Sequence, residues 1–440
     1  MTDTSNIASS LKYIELIQTL LEMMPKLNTW QLEFILHNFE LQCQLRGRHN
    51  FLNMSRYGDK NESTYRKHYG DEFNFETFNF NLVDQYLSSN QSKRAVAFDP
   101  CHISKSGKQT PGSGYFWSGC AGAPRFGLEL GGFAAIDVDQ NTALHYIADQ
   151  TLAYEEHGSL LNYYAALVER RASDILKISQ YLLVDAFFSR EPFVTRVCDT
   201  GLQVISRMRD DANLHYLYVG PHPKRRGRPK KYAGKFDARN LDMIYFTCCL
   251  RQKDEATNLQ NSSTCKKKKE DYALYEATLY SKALKREVRV VVQHNFKEDG
   301  TIKNHKIFFS TDTTLSGIEI FLFYKSRFQI EFLYRDAKQF TGLEHCQARS
   351  ETKLHYHFNT ALTTVSLAKA VFHLEIPEEE RGAFSMADVK TLFFNELMMD
   401  KMQDLIFEQY ELPPNSTNIN NMQIIRSKIR KIGRIHLKRA

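Results

Sequence analysis

The segment FYKSRFQIEFLYRDAKQF carries side chains that could together hold phosphate. Arg327, Glu331 and Lys338 follow Tyr324 at offsets of 3, 7 and 14 residues. On one helix, at about 100° per residue, the four fall within a stripe roughly 60° wide, and Arg335 joins it. Ile330, Phe332 and Leu333 point to other faces. A carboxylate among cations and a phenol admits two readings. One is a solvated face held by the i,i+4 pairs Arg327–Glu331 and Glu331–Arg335. The other is a phosphate site, where Glu331 binds a metal ion and the cations hold a nucleic-acid backbone.

Earlier carboxylates favour the second reading. KRAVAFDPCHIS is a β-type apolar run ending at Asp99, and YLLVDAFFS is a buried-type strand ending at Asp185. Sheet-based sites collect their catalytic groups at strand ends. Adjacent parallel strands would set Asp99 beside Asp185, and a helix crossing the sheet end would add Glu331. Three converging carboxylates repel one another unless cations neutralise them. Two Mg2+ or Mn2+ ions would do so, because these hard ions prefer oxygen ligands. Such a pair, about 4 Å apart, supports phosphodiester cleavage. Asp137, Asp139, Asp210, Asp211 and Asp312 also lie near strand ends. Asp137 and Asp139 flank a hairpin turn, where aspartate serves conformation, and Asp210–Asp211 suit a solvated exit from a strand.

The elements that must position these groups can be read in order. Residues 1–90 are mostly helical, with Asn28 and Thr29 placed to cap a second helix. Within them, two short helices joined at Gly58-Asp59 suit a helix-turn-helix DNA reader or a small helical bundle. From 91 to 212 the order β, β, β, α, β, α, β predicts a mixed sheet with helices packed on it, an α/β fold. Residues 213–305 form a basic, β-rich insertion with its own small sheet and a loop. Residues 306–372 return to helix and complete the core. Residues 373–440 are helical and end in a basic tail.

Net charge is +7, and its clustering matters more than its size. KRRGRPKK at 224–231, KKKK at 266–269 and the tail from Arg426 to Arg439 point to nucleic acid. Arg226-Gly227-Arg228-Pro229, followed by Lys230, resembles an AT-hook. Pro229 biases Arg228 toward an extended backbone that fits a narrow minor groove. A solvated basic loop making nonspecific phosphate contacts is the alternative. The eight cysteines show neither zinc-finger spacing nor a disulfide framework. The N-terminus lacks a signal-type segment and no run of 18 apolar residues occurs, so we expect a soluble, cytoplasmic protein without membrane contact.

The spacing Y-x2-R-x3-E-x6-K of Tyr324, Arg327, Glu331 and Lys338 resembles the YREK signature of bacterial insertion-sequence DDE transposases. AVAFDPCHISKSGKQTPG and YLLVDAFFS resemble the surroundings of the first and second aspartates in that group. The resemblance runs from about residue 45 to 370. It implies an RNase H-like core with Asp99, Asp185 and Glu331 binding two divalent ions. It also implies that Tyr324, Arg327 and Lys338 contact phosphates. The activity implied is cut-and-paste transposition: hydrolysis at the transposon end, then attack of the freed 3′-OH on target DNA. The partners implied are terminal inverted repeats, target DNA and a second copy bridging two ends in a synaptic homodimer, on the bacterial nucleoid. Some relatives stack a flipped base on a tryptophan in the β insertion. Here the tryptophans are Trp30 and Trp117, neither in the insertion, while Tyr272, Tyr275 and Tyr280 offer aromatic faces there. A DNA-binding regulator without catalysis, and a nuclease of the same fold that cuts without joining, are the competing functions.

Overall fold

The computed structural model describes residues 10–89, 92–221, 229–252 and 271–410. The chain opens with five helices: α1 (Ser10–Glu22), α2 (Thr29–Gln44), α3 (Phe51–Tyr57), α4 (Glu62–His68) and α5 (Phe75–Ser89). Asn28 caps α2 as expected, in a capping box closed by Gln31. Asn50 and Asn61 cap α3 and α4 by accepting N–H bonds from Asn53 and Thr64. The joint at Gly58 is tight because a side chain there would strike the Tyr65 hydroxyl. Tyr65 is buried and its hydroxyl lies 2.7 Å from His37 Nε2, so α4 turns Ser63, Arg66 and Lys67 outward.

Strands β1 (Arg94–Ser104), β2 (Gly114–Ser118) and β4 (Thr142–Gln150) all pair antiparallel with the long β3 (Ala123–Asp137). Helix α6 (Leu160–Ile178), β5 (Tyr181–Leu183), α7 (Glu191–Asp199) and β6 (Gln203–Met208) follow. β5 lies parallel to both β1 and β6. The core order β4-β3-β1-β5-β6 is therefore that of the expected RNase H-like mixed sheet.

The next strands are β7 (Leu214–Leu217), β8 (Tyr232–Lys235), β9 (Thr247–Gln252), β10 (Tyr272–Ser281), β11 (Arg286–Phe296) and β12 (Ile302–Ser310). They do not form a sheet of their own, contrary to expectation. β12 pairs antiparallel with β6, from Ile307↔Met208 to Ser310↔Ile205, so one 12-stranded sheet runs through both parts. The reason is local: β6 has backbone donors and acceptors to satisfy on the side away from β5, and the alternating Ile307 and Phe309 of β12 extend the same buried face.

Helices α8 (Gly317–Ser326), α9 (Gln329–Phe340), α10 (Glu351–Glu375) and α11 (Met386–Tyr410) complete the description. The 25-residue α10 is buried along most of its length and packs on β4. Its Asn359 side chain bridges the Ala148 N–H and C=O of that strand. Helices α1, α2 and α5 pack on α10, and α11 packs on α2, so a single cluster of buried apolar side chains links the N-terminal helices to the sheet. No described helix is long and apolar enough to cross a membrane.

Candidate active site

The parallel pairing of β1 and β5 ends at Val96↔Leu182 and Ala97↔Leu183. Two residues further along each strand stand Asp99 and Asp185, at the same end of the sheet. β1 itself does not stop at Asp99: its ladder with β3 continues to Ser104↔Gly127. Asp99 marks the end of pairing with β5 only, because β5 gives way to a 3-10 turn over Ala186–Phe188 that Asp185 caps. Its Oδ1 accepts the Phe187 N–H at 2.9 Å.

Asp99 is fixed from behind. Its carbonyl accepts the Tyr334 hydroxyl at 2.7 Å. Gly132 lies opposite Asp99 on β3, and a side chain there would collide with that same hydroxyl. The absent Cβ is therefore what lets α9 approach the strand. Lys338, one turn along α9, donates to the His102 carbonyl at 2.6 Å and pairs with Glu344 at 3.0 Å. Helix α9 is thus tied to β1 at two points, through Tyr334 and Lys338.

Arg327 is the hinge of the site. Its Nη1 lies 3.6 Å from Asp99 Oδ1 and its Nη2 donates to Glu331 Oε1 at 2.7 Å. The i,i+4 pair expected of a plain helix face is present, but it also reaches a carboxylate on the sheet. Burial pushes the Asp99 carboxyl up to about 7; Arg327 opposes this, while Asp185, Glu331 and Glu129 add to it. Asp185 is also raised, chiefly by burial, against the Phe187 N–H and Arg327. Burial works to lower the Lys338 ammonium, but Cys101, Glu344 and Cys120 outweigh it and raise its pKa. Tyr324 packs its ring 5.0 Å from Phe308 and 5.8 Å from the Arg327 guanidinium. Its hydroxyl pKa is raised, first by burial and, against Arg327, by Asp185.

Two expectations about the stripe need correction. It does not lie on one uninterrupted helix: α8 and α9 meet at Arg327–Phe328, where Ile330 and Glu331 donate to carbonyls three residues back rather than four. The tighter joint falls where Arg327 is bonded to both Asp99 and Glu331. Arg335 does not pair with Glu331. It bonds Asp336 Oδ1 at 2.8 Å and rests 4.6 Å over the Phe332 ring, because that carboxylate is adjacent whereas Glu331 is engaged by Arg327.

The other strand-end aspartates have local tasks. Asp137 accepts the Gln140 N–H and Asp139 the Lys93 N–H. Asp312 accepts from Thr314 and Tyr181. Asp210 lies 3.9 Å from both Arg207 and His305. Glu129, not anticipated from the sequence, is buried on β3 and accepts from the Tyr164 and Thr151 hydroxyls. Its signal was a lone glutamate in the apolar alternation RFGLELGG. Arg226 and Arg228 lie outside the described residues. Lys230 is exposed beside β8, 4.9 Å from the Tyr218 ring. β8 stands six strands from β5, roughly 30 Å at about 4.8 Å per strand, so Lys230 is not part of the carboxylate cluster.

An all-oxygen donor set of Asp99, Asp185 and Glu331 suits Mg2+ or Mn2+ by its chemistry. Burial among other carboxylates also makes the Asp99 anion a group that gains from a nearby cation. Among the described residues, however, no three or more His, Cys, Asp or Glu are gathered closely enough to hold a metal ion. The cation between Asp99 and Glu331 is Arg327.

Residues 161–367 match the family of the transposase DDE domain. The match includes Asp185, the strands β5 to β12 and the whole stripe, and begins after the strand that carries Asp99. Across solved structures, a piggyBac transposase synaptic complex with hairpin DNA aligns with a TM-score of 0.38 at 11% identity, covering 95% of this chain and 74% of that one. No curated protein sequence matches the chain.

Proposed function

We propose that the protein is a DDE transposase that cuts DNA at the ends of its element and joins the freed 3′-OH to target DNA. One observation carries the reading. Within and beside the segment matching the transposase DDE domain, Asp99 and Asp185 each stand two residues past the last pair of the parallel β1–β5 ladder, and Arg327 links Asp99 to Glu331. Asp99, Asp185 and Glu331 are the residues that would hold two Mg2+ or Mn2+ ions, which when bound supply activation of the attacking oxygen and stabilisation of the leaving one.

The rest belongs to the chain. Arg327 neutralises Asp99 and Glu331 while no DNA is present, and its fork of donors matches a phosphate equally well. DNA entering the site offers Arg327 a second anion, and its transfer from carboxylates to phosphate frees Glu331 to turn toward the aspartates. Tyr324 offers a hydroxyl donor and Lys338 a point charge along the same stripe. Tyr334 and Gly132 keep the Asp99 backbone fixed while these side chains exchange partners. Outside the site, Ser63, Arg66 and Lys67 of α4 and the 224–231 basic run are the surfaces that would hold duplex DNA, and a homodimer would bridge two ends.

Purified protein with Mg2+ or Mn2+ is expected to nick DNA carrying its own terminal inverted repeats and to join the product to a target. Asp99→Asn, Asp185→Asn and Glu331→Gln should each abolish cutting and leave DNA binding largely intact. Normal cutting by Glu331→Gln would remove the assignment. Cutting without joining would make the protein a nuclease.

A further inference from the structure

Beyond Asp99, β1 leads into an arm made of its own last residues, β2 and the start of β3. From Pro100 to Leu128 the chain has no aspartate or glutamate, but it has Lys105, Lys108 and Arg125. The β2–β3 ladder runs from Gly114↔Gly127 to Ser118↔Ala123, so it continues past Ser104, where β1 ends. Two large rings stand out on this arm. Tyr115 is 75% exposed and Trp117 63% exposed. As residues i and i+2 of a strand they share one face, with Phe126 and Pro124 opposite them on β3. Tyr115 meets the Phe126 ring edge to face at 5.6 Å.

The other face of β2 is ordinary interior. Phe116 is buried and meets the Tyr154 ring edge to face at 6.3 Å. The arm is also anchored. Lys105 donates to the Cys346 and Ala348 carbonyls at 2.6 and 3.1 Å, which ties the loop after β1 to the segment after α9. Cys120, in the β2–β3 turn, lies within electrostatic reach of Lys338 on the stripe. Exposed rings on an acid-free, cation-bearing arm that starts at Asp99 suit one occupant. Bases offer flat faces to the rings, and the phosphates between them suit Lys108 and Arg125. In duplex DNA those faces are hidden by stacking, so the strand taken must be unpaired.

We propose that Tyr115 and Trp117 form a stacking platform for unpaired bases of the DNA strand leading away from the scissile phosphate, roughly 20–26 Å from Asp99 along β3, since Phe126 and Pro124 stand six and eight residues from Gly132. The inference rests on the DNA-cutting reading above. Trp30 and Trp117 are the chain's two tryptophans, so Trp30→Phe leaves Trp117 as the sole tryptophan reporter and keeps a ring against His68. With a chelator present, single-stranded oligonucleotide should quench Trp117 emission, while saturation is followed separately by anisotropy of a labelled strand. Tyr115→Ala and Trp117→Ala, both at exposed positions, should weaken single-strand binding by about five-fold or more and duplex binding by less than about two-fold. Unchanged emission at saturation would overturn the platform, as would equal losses for single strand and duplex. Emission that changes with protein concentration without DNA would assign the face to a second copy and overturn it too. Nicking of the terminal repeat by the same Trp30→Phe protein in Mg2+ reads the parent function separately. Nicking with a silent Trp117 removes only the platform, whereas quenching without nicking supports the platform and removes the cutting reading.

Discussion

Replacing Asp99 by asparagine should stabilise the protein while abolishing its chemistry. In the fold, the Asp99 carboxyl is raised from 3.8 to about 7. The native state therefore keeps a proton that the unfolded chain has released. Its contribution to stability is complete below about pH 4 and is lost as the pH rises to about 7. A shift of roughly 3 units at about 1.4 kcal/mol each sets an upper bound of about 4 kcal/mol above pH 7. The attraction of Arg327 at 3.6 Å is already contained in that shift, and Arg327 keeps Glu331 as a partner in the variant. The carboxamide cannot ionise, so Asp99→Asn should be more stable than the parent by about 1–4 kcal/mol at pH 8 and equal to it near pH 4. For a chain of this length that is roughly 1 °C of Tm per kcal/mol, readable by differential scanning fluorimetry across a pH series with chelator. Mg2+ should then raise the parent's Tm at pH 8, narrowing the gap, and leave the variant nearly unmoved. A variant that is less stable than the parent at pH 8 would refute the reasoning, because it would mean that the Asp99–Arg327 pair stabilises the fold by more than burial of the carboxylate costs.

Further outcomes follow from the same geometry. Tyr334→Phe removes the hydroxyl donated to the Asp99 carbonyl and should cost about 1 kcal/mol in denaturant unfolding, with slower cutting. Gly132→Ala places a methyl on that hydroxyl and should cost more, by about 1–3 kcal/mol, with at least as great a loss of cutting. Arg327→Lys keeps the charge but not the fork, so cutting should fall while nonspecific duplex binding, measured by gel shift, changes by less than about three-fold.

Much of the core was legible because its signals are local. Apolar runs ending in aspartate, a hairpin turn between Asp137 and Asp139 and helical periodicity each depend on neighbours in sequence, while the pairing of β1 with β5, 86 residues apart, was expected only through the RNase H-like resemblance. What escaped depends on contacts distant in sequence. The pairing of β12 with β6 brings together residues about 100 apart, and no alternation within either strand announces it. The tight joint at Arg327–Phe328 contains neither proline nor glycine, so only the reach of Arg327 to Asp99 marks it. Arg335 was placed correctly on the face, but its side chain chose the adjacent Asp336 over Glu331. Glu129 looked like one acid in a strand; its weight comes from the sheet that sets it near Asp99.

The join between β6 and β12 also bears on how the chain is made. Asp185 and β6 leave the ribosome long before β12 and before Glu331, which lies 146 residues beyond Asp185. At roughly 5–20 residues per second, the nascent chain spends about 7–30 s with Asp185 made and Glu331 not yet made, and about 5–20 s with one edge of β6 without the neighbour it will have. On the proposed reading, a chain that ends before Glu331 lacks one of its three metal-holding carboxylates and would not cut DNA. During that interval the open edge is also a point of vulnerability to strand exchange between nascent copies on one messenger.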